Sequence, residues 1–444
     1  MPTQVVVRRR GGRRAGPSLA FGPEAIRSTH PAARAWRAAA WDLFTRLPWP
    51  TTQDEPWRRT DIRRMPSPSR LAQGIEGLAP SADRLQALAD EAPAGELVLH
   101  GPRLHLRTLD PALEAQGVLF ADLRTAEAEH ADRIVPLFGQ VVSPSEGKFA
   151  ALGHALAQNG VVIHVPAGVQ VSRPLHALLW GPGADVAHFD HVVVWLEDGA
   201  SATVILEMAS PTEAQPALHV GVVEVHVGAG AHLRLVELQS WGEHVWHFSH
   251  ERVKVHRGAK ANWIFGSVGS RLLKSFMEID LVEEGAEGYM SGFYFADDRQ
   301  HMDHDTQQNH LAPHTTSDLL FKGALKDTAR SVWQGMIYVA PEAQHTDGYQ
   351  ANRNLILSEG ARADSIPGLE IMANEVRCTH GATLGRVDED QVFYLRTRGL
   401  SEDEAKRLIV EGFFDEVLQR IPFEGVRERF RDVVHEKMTR VSAA

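Results

Sequence analysis

The one cysteine of this 444-residue chain lies in Arg377-Cys378-Thr379-His380-Gly381-Ala382-Thr383. Cys378 and His380 are two residues apart, so an extended strand points both side chains to one face. A thiolate beside an imidazole can bind iron or another soft ion. It can also act as a Cys–His nucleophile pair. The same residues fit an inert buried thiol next to a hydrogen-bonded histidine, the ordinary fate of a lone cysteine. A second polar cluster is His301-Met302-Asp303-His304-Asp305, followed by His310 and His314. On a strand, His301, Asp303 and Asp305 share one face and His304 takes the other. These residue types suit a metal site. A polar strand face or a histidine-rich contact between chains would use the same ones.

Other chemistries find no motif. There is no GxxxxGK[ST], so the chain is not expected to hydrolyse nucleotide itself. A GxSxG elbow, a GxGxxG turn and an HExxH helix are absent too. One cysteine excludes an intrachain disulfide and a multi-cysteine zinc or cluster site built from this chain alone. It fits a reducing, cytoplasmic setting. The formal charge is −11, although the first 14 residues carry Arg8, Arg9, Arg10, Arg13 and Arg14 and no acid. The body is therefore acidic and a poor nucleic-acid binder, and the basic tip reads as a solvated tail. The longest apolar runs, such as Val192-Val193-Val194-Trp195-Leu196, are too short to span a membrane, and Val5-Val6-Val7 is too short for a signal peptide.

The surrounding elements follow from periodicity. Residues 1–23 read as a flexible basic tail and 24–150 as a mixed, mainly helical domain. Its helices are expected at 31–48, 81–91 and 121–140, the last kinked or shortened at Pro136. From Gly160 onward short β-rich runs alternate apolar and polar residues: 161–165, 192–196, 202–206, 220–227, 233–238, 252–256, 262–265, 276–281 and 289–295. Small-residue turns recur between them at Gly199-Ala200, Gly230-Ala231, Gly258-Ala259, Gly285-Ala286 and Gly360-Ala361. The first three glycine intervals are 31, 28 and 27 residues, which suggests a solenoid of stacked coils over 151–400. A sandwich or barrel of similar strand spacing is the other reading. Ser401-Glu402-Asp403-Glu404 is a capping box that opens a helix over 401–420. A second helix at 423–440 completes a C-terminal hairpin within 401–444.

Four segments carry a resemblance. They are Trp333-Gln334-Gly335, Gln344 to Leu355 (QHTDGYQANRNL), Arg377 to Gly385 (RCTHGATLG) and Phe393 to Leu400 (FYLRTRGL). With Trp57-Arg58-Arg59-Thr60-Asp61 near the start, they resemble the SufB/SufD family of iron–sulfur cluster assembly proteins, over about 31–440. The SufB branch has a functional cysteine where Ala361 stands here and tends to have an N-terminal cysteine cluster, so the SufD branch is the nearer likeness. The resemblance implies a mainly β protein. Its core would be a right-handed parallel β-helix between an N-terminal domain and C-terminal helices. It further implies a non-catalytic scaffold that pairs with a SufB-like β-helix or, alone, with a second copy. Each C-terminal region would bind a SufC-like ABC ATPase, which does the ATP hydrolysis. A transient iron or iron–sulfur cluster, shared with the SufB-like subunit, would meet His380 and, more weakly, Cys378. Phe413, Phe414, Ile421 and Phe423 are the expected anchors of the ATPase dock, and removal of 401–444 is expected to leave the β-helix folded. Two rival expectations remain: a polysaccharide-active β-helix enzyme using Asp303 and Asp305, and a SufB-like homodimer that holds the cluster alone.

Overall fold

The structure, a computed structural model, describes residues 17–28, 30–73, 92–421 and 423–440. The arginine-rich tip and the expected helix at 81–91 lie outside the described residues. Two ten-stranded sheets make up the body, and their strands come alternately from one chain path. One sheet stacks Val161–Val165, Val186–Leu196, Ala217–Val227, Val245–Val255, Leu272–Leu281, His301–His310, Arg330–Val339 and Arg362–Ile371. The other stacks Leu175–Trp180, Ser201–Ala209, His232–Ser240, Lys260–Ser267, Glu287–Ala296, Thr316–Leu325, Asp347–Ile356 and Arg377–Arg386. Neighbouring strands within these two stacks are parallel, with His188 opposite His219 and Leu235 opposite Trp263. The fold is therefore a β-solenoid of about eight coils. All nine expected β runs fall on these strands, the Arg252–His256 run ending one residue past its strand.

Coiling solves a burial problem. Each strand turns alternate side chains inward, and a single coil cannot cover them. Stacked coils merge them into one core that includes Val194, Val225, Leu235, Trp263, Met302 and Phe321. The turns from the first sheet to the second form a ladder. Gly199, Gly230, Gly258 and Gly285 all have left-handed φ, where a side chain is strained. Each donates its N–H to the next turn: Gly199 to Ala229 O at 2.8 Å, Gly230 to Arg257 O at 2.8 Å, Gly258 to Glu284 O at 3.1 Å. His314 and His345 continue the ladder with φ of 57° and 59°. The Gly360-Ala361 turn does not belong to this series. It joins Asp347–Ile356 to Arg362–Ile371 on the opposite edge, in line with the Asp298 and Asp327 turns. Two turn series interleave along the sequence, and glycine spacing alone does not separate them.

The N-terminal region is fused to the solenoid. Gly95–His100 runs parallel to Leu175–Trp180, and Leu119–Asp122 pairs antiparallel with Val161–Val165. Helix Pro31–Arg46 packs on helix Lys148–Leu156, which lies on the outer face of the first sheet. A boundary at 150 cuts through that second helix. Its sequence KFAALGHAL shows little amphipathic pattern because eight of its residues are buried. The 121–140 pattern is broken into Leu123–Glu129, Ala131–Ile134 and a 3₁₀ turn at Val135–Leu137, which contains Pro136.

At the other end, helices Glu402–Leu418 and Glu424–Thr439 form the hairpin, opened by the Ser401/Glu404 capping box. Their apolar face covers the second sheet, where Ile205, Val236, Ile264, Phe293 and Leu320 meet Phe414, Ile421 and Phe430. This packing bears on the expectation that removal of 401–444 leaves the β-helix folded. Deletion would bare a continuous apolar sheet face.

Candidate functional site

Arg377–Arg386 is the last strand of the second sheet and pairs on one side only, with Asp347–Ile356. Arg362–Ile371 likewise ends the first sheet. Among the described residues the solenoid thus stops with two uncovered parallel edges. Leu384 is 60 % exposed towards the end of the second-sheet strand, and Leu369, Ile371 and Met372 are exposed at and just past the end of the first-sheet strand.

Cys378 and His380 sit on this rim. Cys378 is half-buried against Ile337, Val339, Ala343 and Ala373. Gly348 lies opposite it, and a Cβ there would come within 3.2 Å of Cys378 Sγ and 3.3 Å of His310 Nε2. Glycine therefore keeps space for both groups. Burial pushes the Cys378 thiol up, so it rests protonated. An arriving ion would have to displace that proton. His380 follows on the same face, opposite buried Gln350, and its imidazole is exposed. Among the described residues it holds no hydrogen bond, so both ring nitrogens are open to a ligand.

Behind this rim several polar groups are engaged within the chain, although Gln350 Oε1 and Gln308 Oε1 have no hydrogen-bond partner among the described residues. Gln350 donates to Gly368 O at 2.8 Å, and Asn354 donates to Asn352 Oδ1 at 2.6 Å and Ser365 Oγ at 3.0 Å. Buried His310 contacts Thr315 Oγ1 at 2.7 Å and Ser317 Oγ at 2.8 Å, and burial lowers its pKa to about 4. The rim itself offers one thiol and one imidazole, fewer ligands than a cluster normally needs.

The 301–314 cluster divides as strand parity predicts, and most of its groups are engaged within the chain. Asp303 is fully buried, ion-paired to Lys274 Nζ at 3.0 Å, and accepts a hydrogen bond from Thr60 Oγ1. Thr60 Oγ1 also lies 2.8 Å from His301 Nε2. Lys274 reaches Asp305 at 3.6 Å, and burial raises the Asp305 pKa to about 6. This explains the segment Trp57-Arg58-Arg59-Thr60-Asp61: Trp57 stacks on Phe149 at 5.3 Å while Thr60 latches the buried pair. Inside the solenoid, His304 contacts Ser267 Oγ at 3.0 Å and stacks on Tyr294, and burial lowers its pKa to about 3. His314 lies in the turn ladder, stacked on His345 at 4.7 Å. The polysaccharide-enzyme expectation loses Asp303 here, because this fully buried acid cannot meet a chain in solvent.

The expected dock residues also divide. Phe414 and Ile421 are fully buried and hold the hairpin to the sheet. Phe413 and Phe423 are partly buried at its border. More exposed are Phe393 at 67 % and Tyr394 at 56 %, on helix Glu389–Thr397, with Leu408 on the adjoining helix. Sequence reading also missed His188, Asp190, His219, His247, Glu237 and Glu251. All are buried at inward positions of apolar strands. The signal was a polar residue at core parity.

Comparison with known proteins places this geometry. The description "SUF system FeS cluster assembly, SufBD core domain" matches residues 179–413, and "SufBD protein N-terminal region" matches 105–177. The chain is 31 % identical over 324 residues to the iron–sulfur cluster assembly protein SufB of Bacillus subtilis, covering 73 % of this chain and 70 % of that protein. It is 30 % identical over 328 residues to an iron–sulfur cluster assembly SufBD family protein of Staphylococcus epidermidis, covering 74 % and 70 %. The solenoid and the strands feeding its first coils are thus the parts these proteins share, and the chain belongs to the SufBD family of iron–sulfur cluster assembly proteins.

Proposed function

We propose that the chain is a SufD-like scaffold subunit. It pairs end to end with a SufB-like solenoid along the edges Arg362–Ile371 and Arg377–Arg386, and it presents His380, with Cys378 in support, to a nascent iron–sulfur cluster. The cluster is cargo, completed by thiolates of the other chain. One observation carries this reading: the chain's lone cysteine and an exposed, unengaged histidine share the last strand, whose outer edge pairs with nothing among the described residues. Uncovered parallel edges are templates for another strand. In this reading ATP hydrolysis belongs to a SufC-like ATPase docked on the C-terminal helices. Phe393, Tyr394 and Leu408 form the centre of the dock and Phe413 and Phe423 its border.

Co-expression with SufB-like and SufC-like chains tests the pairing. The native chain is expected to co-purify with both. Leu384→Lys puts a charge on the uncovered edge and is expected to release the SufB-like chain while keeping the ATPase. A complex that survives Leu384→Lys unchanged would place the partner elsewhere.

A further inference from the structure

Far from the rim, three adjoining coils stack imidazoles at one inward position. His188 lies opposite His219, and His219 opposite His247. Asp190 is on the same face as His188, two residues on. All four are at least 98 % buried. His219 Nε2 lies 2.8 Å from Asp190 Oδ2, and His188 Nε2 lies 3.1 Å from Asp190 Oδ1. The His188 and Asp190 Oδ1 atoms nevertheless form no hydrogen bond, so they lie side by side rather than in line. His188 Nδ1 has no hydrogen-bond partner, and His247 Nε2 has none. Buried polar atoms left open at this depth call for a ligand.

A second buried group makes the contrast. His154, His191 and Glu224 also come together. There, however, Glu224 accepts from the backbone N–H of Gly139, Val141 and Val142 at 2.8–3.0 Å and contacts His191 at 2.8 Å. Its acceptor sites are filled, and the group is a structural clamp. Asp190 has no backbone donor.

We propose that His188 Nε2, Asp190 and His219 Nε2 bind one divalent first-row transition ion, with His247 as the positioning residue behind His219. Two imidazoles and a carboxylate are a donor set for zinc, iron(II), manganese or cobalt. The two imidazole nitrogens lie 2.8 Å and 3.1 Å from the Asp190 oxygens, within the roughly 4.2 Å that two metal–ligand bonds of about 2.1 Å can span. His219 Nδ1 lies 2.8 Å from His247 Nδ1. In the loaded state His219 carries its proton on Nδ1 and donates it to His247, which leaves the Nε2 lone pair for the ion. This outer contact fixes the tautomer of a ligating histidine. Gly181 and Trp241 roof the cluster: a Cβ on Gly181 would stand 3.9 Å from His188 Nδ1, and the Trp241 ring is 4.9 Å from His219. Both lie in connections outside the sheet strands, where an ion would enter.

The test uses the whole chelator-treated chain and cobalt(II). Expected are one cobalt per chain, visible d–d absorption, quenching of Trp241 fluorescence and an X-ray absorption shell of nitrogen and oxygen only. A sulfur ligand in that shell would assign the ion to Cys378 and overturn the proposal. So would absence of stoichiometric binding. Asp190→Asn and His219→Gln are expected to abolish the bands, and the Cys378→Ser/His380→Ala double variant to leave them unchanged. His247→Gln is expected to weaken affinity about ten- to a hundredfold, and unchanged affinity in that folded variant would contradict its role. The rim variants separate this proposal from the scaffold reading, since either can fail alone.

Discussion

Asp303 joins three distant parts of the chain through one buried carboxylate: Lys274 on the preceding coil, its own strand and Thr60 of the N-terminal segment. Removing one partner of a buried pair strands the other charge, so Asp303→Ala is expected to cost about 3–5 kcal/mol. Thr60→Val removes the hydroxyl contacts to both Asp303 and His301 and should cost about 1–3 kcal/mol. Denaturant titration of both variants checks the order, and a larger loss for Thr60→Val would show that the latch is not electrostatic. Buried neutral histidines set the acid limit. His304 has a pKa near 3, and His154 and His310 have values near 4, all lowered first by burial. Their unfolded values lie near 6.5, so between pH 6.5 and about 4 the unfolded chain binds protons that the folded chain refuses, and stability falls as pH falls. From pH 6.5 to 5 each contributes a loss of about 2 kcal/mol. His304→Gln should flatten the pH dependence of the unfolding midpoint over that window, and an unchanged slope would mean that His304 already carries a proton. Strand parity made the split of His301, Asp303 and Asp305 from His304 readable. Lys274 was not readable as the partner, because register between coils depends on turn lengths that the sequence does not display.

At the scale of elements, local signals were the legible ones. The Ser401/Glu404 box, the helix start at Pro31 and the break at Pro136 involve neighbours a few residues apart. The strand Asp347–Ile356 is hard to read from sequence because its inward positions carry Gln350, Asn352 and Asn354 in place of aliphatic residues. The helix Lys148–Leu156 escaped because nearly all of it is buried. The hairpin was found, but its burial against the second sheet was not, so Phe414 and Ile421 read as partner anchors. The proposed dock moves accordingly to exposed positions. Phe393→Ala/Tyr394→Ala is expected to weaken binding of a SufC-like ATPase at least about tenfold while thermal stability changes little, because both side chains are mostly in solvent. Calorimetric titration of the complex measures it. Unchanged affinity would move the dock to another face of the hairpin.

For the whole molecule, the first coils carry added N-terminal strands, and among the described residues the last coil carries none. The N-terminal strands pair with the first coils, and helices cover the outer faces of both sheets. Among the described residues nothing covers the last coil. The proposed pairing uses the parallel edge of the last coil, which carries Cys378 and His380. One thiol and one imidazole are too few for a cluster within this chain, which makes the second subunit part of the proposed site. The most direct measurement is iron and sulfide content per complex after anaerobic reconstitution with SufB-like and SufC-like partners, native chain against His380→Ala. The account predicts an intact complex that has lost most of its iron and sulfide. An intact complex with native iron and sulfide would contradict it and leave His380 a bystander on the edge.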